Sequence, residues 1–186
     1  MITPILRLLQ SSLTEHLANQ FAQNSFDSFS VVVDKLVNRD GKSTLDPRLN
    51  QVVITLLDIQ EERTVQRSRT SQPSAPYHLN LMLLLSVHER EEQRDQQDYL
   101  KGMEYLDAVL GFFQQYPTFT PLTHPNLPTS VQYLQFELAN ENLRENSYIW
   151  TMTGAKHAPS VLYKVRSVSL GSAPLVNRAA QFSLAN

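Results

Sequence analysis

The sequence predicts an α+β fold: a mixed, largely antiparallel sheet of about five strands, with two long helices packed on one face and one short helix beside them. Three observations carry this expectation. Residues 77–87, YHLNLMLLLSV, alternate at period two, with Leu79, Leu81, Leu83, Leu85 and Val87 on one side and His78, Asn80, Met82, Leu84 and Ser86 on the other. Segments over residues 4–21 and 99–113 instead repeat apolar residues every three or four positions, the spacing of amphipathic helices. Shorter β-branched or alternating runs, separated by Gly, Pro, Asn and Asp, supply the remaining strands.

Taken in order, Thr3 and Pro4 read as an N-cap followed by a proline at the first helical position, where no amide hydrogen is missed. Ile2, Leu6, Leu9, Leu13 and Leu17 form the stripe of a first helix over residues 4–21. Residues 30–36, SVVVDKL, read as a short strand, and residues 38–47 as a turn-rich loop of Asn, Asp, Gly, Ser and Pro. Residues 51–61, QVVITLLDIQE, form a second strand, apolar enough at its start for burial on both faces. The alternating stretch 77–87 is the central strand. Beyond the charged run HEREEQRDQQD, Asp95 and Asp98 are placed to cap a second helix. Tyr99, Met103, Leu106, Leu110 and Phe113 form one stripe of it, and Tyr105, Val109 and Phe112 the stripe beside it.

Pro117, Pro121, Pro125 and Pro128 make residues 116–128 a stiff connector, neither helix nor strand. Residues 131–138 alternate as a half-exposed strand, with Leu134, Phe136 and Leu138 on one face; joining the central strand's sheet after a helix implies a right-handed crossover. Residues 141–153 carry Leu143, Ile149, Trp150 and Met152 as a short helix that Gly154 is placed to end. The last strand, residues 159–170, loses its alternation near Ser167, the mark of a bulge or bend. The expected organisation is one domain over residues 1–170 and a C-terminal tail or arm over 171–186. That last segment is small and polar apart from Leu175, Val176, Phe182 and Leu184, and reads either as a frayed end or as an arm that orders on a neighbour.

At 186 residues, 41% hydrophobic and 18% charged, the chain has the composition of a globular protein. A net charge of −2 argues against coating nucleic acid, which needs a basic excess. The chain has no cysteine, which excludes disulfides and thiolate-bound metals. The first residues lack the basic lead-in and apolar run of a signal peptide. No stretch reaches the ~18 consecutive apolar residues of a membrane helix, so a soluble protein without direct membrane insertion is expected.

Little in the sequence carries chemistry. His16, His78, His88, His124 and His157 are scattered, with no zinc-protease spacing among them. There is no nucleophile elbow, dinucleotide turn or phosphate-cradling loop, so no catalytic, cofactor-binding or metal residue is assigned. Asp58, Glu61 and Glu62 lie close enough in sequence to hold a hard cation or act as acid and base, but carboxylates at a strand exit are more commonly solvated or paired with nearby arginines. A triad drawn from distant positions leaves no local pattern, so a small hydrolase with a non-local site stands as the alternative of a different class. Arg63, Arg67 and Arg69, in the connection that precedes residue 77, read either as a solvated hairpin loop or as an anion-binding patch. Connections this long tend to be functional, which favours a partner-binding loop. With His78 and Asn80 at the polar start of the central strand, and Leu175, Val176 and Phe182 in the tail, these arginines are the candidate partner interface.

Four stretches carry a family resemblance: VITLLDIQEER at residues 53–63, YHLNL at 77–81, GFFQ at 111–114 and PSVLYKVR at 159–166, joined by Phe119-Thr120-Pro121 and Trp150. In this order and spacing they resemble the cap, or tail-terminator, family of extracellular contractile injection systems of the antifeeding-prophage and Photorhabdus virulence cassette type. The likeness runs from the first helix to about residue 170. It departs at Gly154-Ala155-Lys156-His157, where the family pattern has a double glycine before a lysine and an aromatic.

The resemblance implies a structural protein, not an enzyme. Its members form a homo-oligomeric, hexameric ring at the membrane-distal end of the particle, stop growth of the inner tube protein and contact the sheath protein. Some particles encode a paralogous cap protein as a further partner. It implies assembly in the cytoplasm, then incorporation into a particle that is extracellular after release; a tail-completion or baseplate adaptor is the alternative within the same class. At the start of the central strand it points to a rim position, beside the arginine loop, where a ring neighbour or the tube end binds.

Overall fold

The computed structural model describes residues 2–22, 29–62, 77–90 and 96–170. The described elements are α1 (Ile2–Phe21), β1 (Phe29–Val33), β2 (Asn50–Glu61), β3 (Tyr77–His88), α2 (Gln96–Gln115), β4 (Thr118–Phe119), β5 (Leu134–Leu138), α3 (Leu143–Thr153) and β6 (Ser160–Leu170). The strands form one six-stranded sheet in the order β1-β2-β3-β6-β5-β4. β1 runs parallel to β2 and every other pair is antiparallel, so the expected mixed, largely antiparallel α+β fold is present.

The central strand behaves as its alternation dictates. Leu81, Leu83, Leu85 and Val87 enter the large core with Ile5, Leu9, Leu13 and Leu17 of α1 and Tyr105, Val109 and Phe112 of α2. Both long helices therefore cover one face. On the other face Leu84 joins Val53, Leu162, Leu36 and Trp150 of α3 in a smaller cluster. The start of β2 is buried on both faces because Val52 and Ile54 serve the first cluster and Val53 the second.

Several local expectations are corrected. α1 begins at Ile2, so Thr3 lies inside the helix and does not cap it. Ile5 and Leu8 are buried beside Leu9, Leu13 and Leu17, while Ile2 and Leu6 pack at the margin. In α2 the deeper stripe is Tyr105, Val109 and Phe112; Tyr99, in the first turn, is 56% exposed. The cap expected of Asp95 and Asp98 falls outside the described residues and side chains. β1 stops at Val33, three residues short, where the Asp34 amide still donates to the Ile54 carbonyl but the chain turns away.

The sixth strand lies in the proline-rich connector. Four prolines do not prevent a two-residue strand here because the pairing partners are not proline amides: Thr118 and Phe119 pair with Gln135 and Leu134, and the Pro117 carbonyl accepts from the Phe136 amide at 2.9 Å. Phe119 is fully buried, stacked on His124 at 3.6 Å and edge-on to Phe136 at 4.7 Å, which pins the connector to the core. β5 follows, shorter than expected, and lies against β6, not β3.

The slip near Ser167 is a bulge. β6 spends Val165 to Val168 where β3 spends only Leu79 to Leu81. A second irregularity at Leu56/Asp58 of β2 returns Asp58 and Gln60 to the face of Met82 and Asn80.

Candidate functional site: the polar sheet face

α3 covers only part of the second sheet face. Beyond it, pleat and register place Asp58, Gln60 and Glu62 along β2, Asn80 and Met82 on β3, Lys164 and Arg166 on β6, and Gln135 and Glu137 on β5. The His78 backbone lies opposite Ser169 of β6 in register. Arg63, Arg67 and Arg69, and Leu175, Val176 and Phe182, lie outside the described residues.

Asn80 departs from the expected rim position. It is 3% exposed, and its Nδ2 donates to Glu62 Oε2 at 2.8 Å. Its Oδ1 has no hydrogen-bond partner. Glu62 Oε2 lies 3.8 Å from Arg166 Nη1, and Arg166 Nε lies 2.7 Å from Glu137 Oε2. Asn80 is thus the buried end of a polar chain across four strands, and the groups that reach solvent are Glu137 and Arg166. A buried amide that holds a carboxylate, which faces a guanidinium, orders this face as one unit.

The structure brings Glu62 to Arg166, far along the chain; the arginines that follow Glu62 lie outside the described residues. The signal was present in the lost alternation at Ser167, because the bulge brings Arg166 opposite Asn80. Asp58 is satisfied locally: its Oδ1 accepts from the Ile59 amide at 2.8 Å and its Oδ2 from Gln60 Nε2 at 2.9 Å.

Two clefts hold four of the histidines. A cleft of about 340 Å³ between α1, α2 and the connector is lined by His16, His124, Glu15 and Tyr116. Burial against Phe119 lowers the His124 pKa. A larger cleft of about 830 Å³, between the loop after β1, the end of β3 and the α3–β6 turn, is lined by His88, Glu89, Asp46, Lys156 and His157. His88 Nε2 lies 2.8 Å from Ser86 Oγ. Ser86 is fully buried, so this serine–histidine pair does not present a nucleophile to the cleft. Among the described residues, no three His, Asp or Glu side chains come together as a metal set. No described helix is long and apolar enough to cross a membrane.

Large apolar side chains are exposed on α3, with Leu143 at 87%, Tyr148 at 60% and Met152 at 65%. The sequence profile of the Pvc16 N-terminal domain matches residues 4–180, nearly the whole chain. The chain belongs to the Pvc16 N-terminal domain family. The resemblance carried by the YHLNL and PSVLYKVR strands therefore holds.

The fold is shared with two solved structures. One is the PVC sheath/tube terminator of an extracellular contractile injection system in its extended state, at a TM-score of 0.56 and 16% identity, over 100% of this chain and 64% of that one. The other is the tube-terminating cap of the anti-feeding prophage, at 0.53 and 11% identity, over 87% of this chain and 55% of that one. The chain thus spans less than two thirds of the length of either protein. No curated protein sequence matches it. In this Pvc16 N-terminal domain the HLNL stretch lies at the middle of the sheet, where Leu79 and Leu81 serve the core and Asn80 the polar chain.

Proposed function

We propose that this chain is a structural cap that ends the inner tube and contacts the sheath at the membrane-distal end of a phage-tail-like contractile injection particle. The observation that carries this reading is the match of its whole length to a sheath/tube terminator in fold, together with membership of the Pvc16 N-terminal domain family. The site geometry is compatible with it. A sheet face ordered by Asn80, Glu62, Arg166 and Glu137, and the exposed side chains of α3, are surfaces suited to protein partners. In this reading the partners are further copies in a hexameric ring, the inner tube protein, the sheath protein and, where the particle encodes one, a paralogous cap. The proposed contact residues are Arg63, Arg67, Arg69, His78 and Asn80, with Leu175, Val176 and Phe182 of the tail. The protein assembles in the cytoplasm, leaves with the particle and performs no catalysis.

A closed ring needs two different patches on each subunit, which a sheet-face and an α3 surface can supply. The test is assembly on purified tube. Negative-stain images of the chain mixed with inner tube protein are expected to show rings seated on tube ends and a narrow length distribution. A monomer that leaves tube ends bare and lengths uncontrolled would refute the cap.

A further inference from the structure

We infer that the cleft between α1, α2 and the connector receives an arginine side chain of a partner protein; that this partner is a component of the tube end rests on the cap reading. Four residues lining the cleft carry rings in mutual contact. Between ring centroids, His16 lies 5.3 Å from Phe112, Phe112 lies 5.5 Å from Tyr116, and Tyr116 lies 5.9 Å, edge-on, from His124. Phe112 is buried at the base and the other three are half-buried. A cation held within about 6 Å of such a ring is attracted to its face.

The charge of the cleft has one sign. Glu15 is the carboxylate among the described lining residues, none of which is Lys or Arg, and it makes no ion pair with a described residue. Burial lowers the pKa of His124, so its ring is neutral near pH 7 and does not repel a cation. Ser11 Oγ gives its proton to the Leu8 carbonyl at 2.9 Å and so lines the cleft as an acceptor.

Arginine suits this site better than lysine. A guanidinium is planar, stacks on rings and offers five donors to a carboxylate and a hydroxyl, whereas an ammonium is a compact, strongly hydrated point charge that leaves much of about 340 Å³ unfilled. The connector wall is built in advance. His124 stacks on Phe119 at 3.6 Å, its amide donates to the Thr120 carbonyl at 2.7 Å, and its Nδ1 lies 3.0 Å from Thr123 Oγ1, which accepts from the Thr120 amide at 3.0 Å. A wall fixed in this way loses little freedom when a side chain enters.

Titration with N-acetyl-arginine amide, followed by nuclear magnetic resonance, tests the chemistry. Saturable shifts of the His16 and His124 ring signals are expected, with N-acetyl-lysine amide bound at least about threefold more weakly. Glu15 is exposed, so Glu15→Gln is expected to keep the thermal unfolding midpoint of the chain. The same variant is expected to weaken both the arginine probe and seating on inner tube ends by about fivefold. No shift, equal affinity for the two probes, or tighter binding of N-acetyl-glutamate amide or N-acetyl-phenylalanine amide would overturn the arginine site. Rings of Glu15→Gln that seat as well as those of the unaltered chain would overturn the partner's arginine and leave the cap reading standing. Arginine binding that depends on Glu15, in a chain that leaves tube ends bare, would support the cleft and refute the cap.

Discussion

His88 closes β3 with its ring against Ser86 Oγ, and burial at the wall of the larger cleft pushes its pKa down to about 4. A histidine lowered from 6.5 is neutral in the fold and charged in the unfolded chain between the two values. The unfolded state then binds more protons, so stability is full above pH 6.5 and falls as pH drops towards 4. The whole drop is on the order of 3 kcal/mol, from about 1.4 kcal/mol per pH unit. Denaturant unfolding between pH 7 and 4 is expected to show it, and His88→Gln to flatten the curve across that window. An unchanged slope in the variant would place the acid sensitivity elsewhere. The same scale shows why Asn80 escaped a reading of the sequence. Alternation assigned it to the polar side of its strand, correctly, but a polar side chain reads as exposed until Glu62 and Arg166 are seen to enclose it.

Among the elements, α3 is the one whose limits are written most plainly into residues. Asn142 accepts from the Glu145 amide at 3.0 Å, Glu145 Oε2 accepts from the Asn142 amide at 3.2 Å, and Gly154 at φ 69° closes the helix. Asn142→Ala is expected to cost about 1 kcal/mol, as is Gly154→Ala, where a β-carbon would be strained by the left-handed backbone and sit 3.4 Å from Val37 Cγ2. Urea midpoints check both; a neutral Gly154→Ala would mean the turn relaxes to a negative φ. Much of the element plan was legible for the same reason that these caps were. Periodicity identified both long helices and the central strand, Gly154 marked a helix end, and a lost alternation marked the β6 bulge. β4 was not legible, because two residues in a proline-rich run have no period; they are a strand only because Phe119 is buried and β5 lies beside them. β1 ended early for a related reason, since SVVVDKL is uniformly β-forming and only the parallel partner decides where pairing stops.

At the scale of the whole molecule the sheet separates two cores of unequal size. The helical face gathers α1, α2, the connector and five strands into one cluster, with Phe113 against Tyr163 at 4.1 Å and Phe136 at 5.0 Å. The second face holds α3 through Trp150, the one buried residue of that helix, against Leu36, Val53, Leu84 and Leu162. The indole Nε1 has no hydrogen-bond partner, so α3 is held by packing alone at its deepest point. A helix attached this way, with three large apolar side chains outward, is the least firmly bound element and the one best able to shift against a partner. Trp150→Ala removes its anchor at a cost of about 3–5 kcal/mol, which falls on α3 before it falls on the sheet. Hydrogen exchange is expected to show α3 amides losing protection in the variant while β3 and α2 amides keep theirs. Because Trp150 is the only tryptophan, its fluorescence in the unaltered chain is expected to change at lower denaturant than the far-ultraviolet circular dichroism. Coincident transitions, with α2 and α3 deprotected together in the variant, would show instead that the two cores unfold as one.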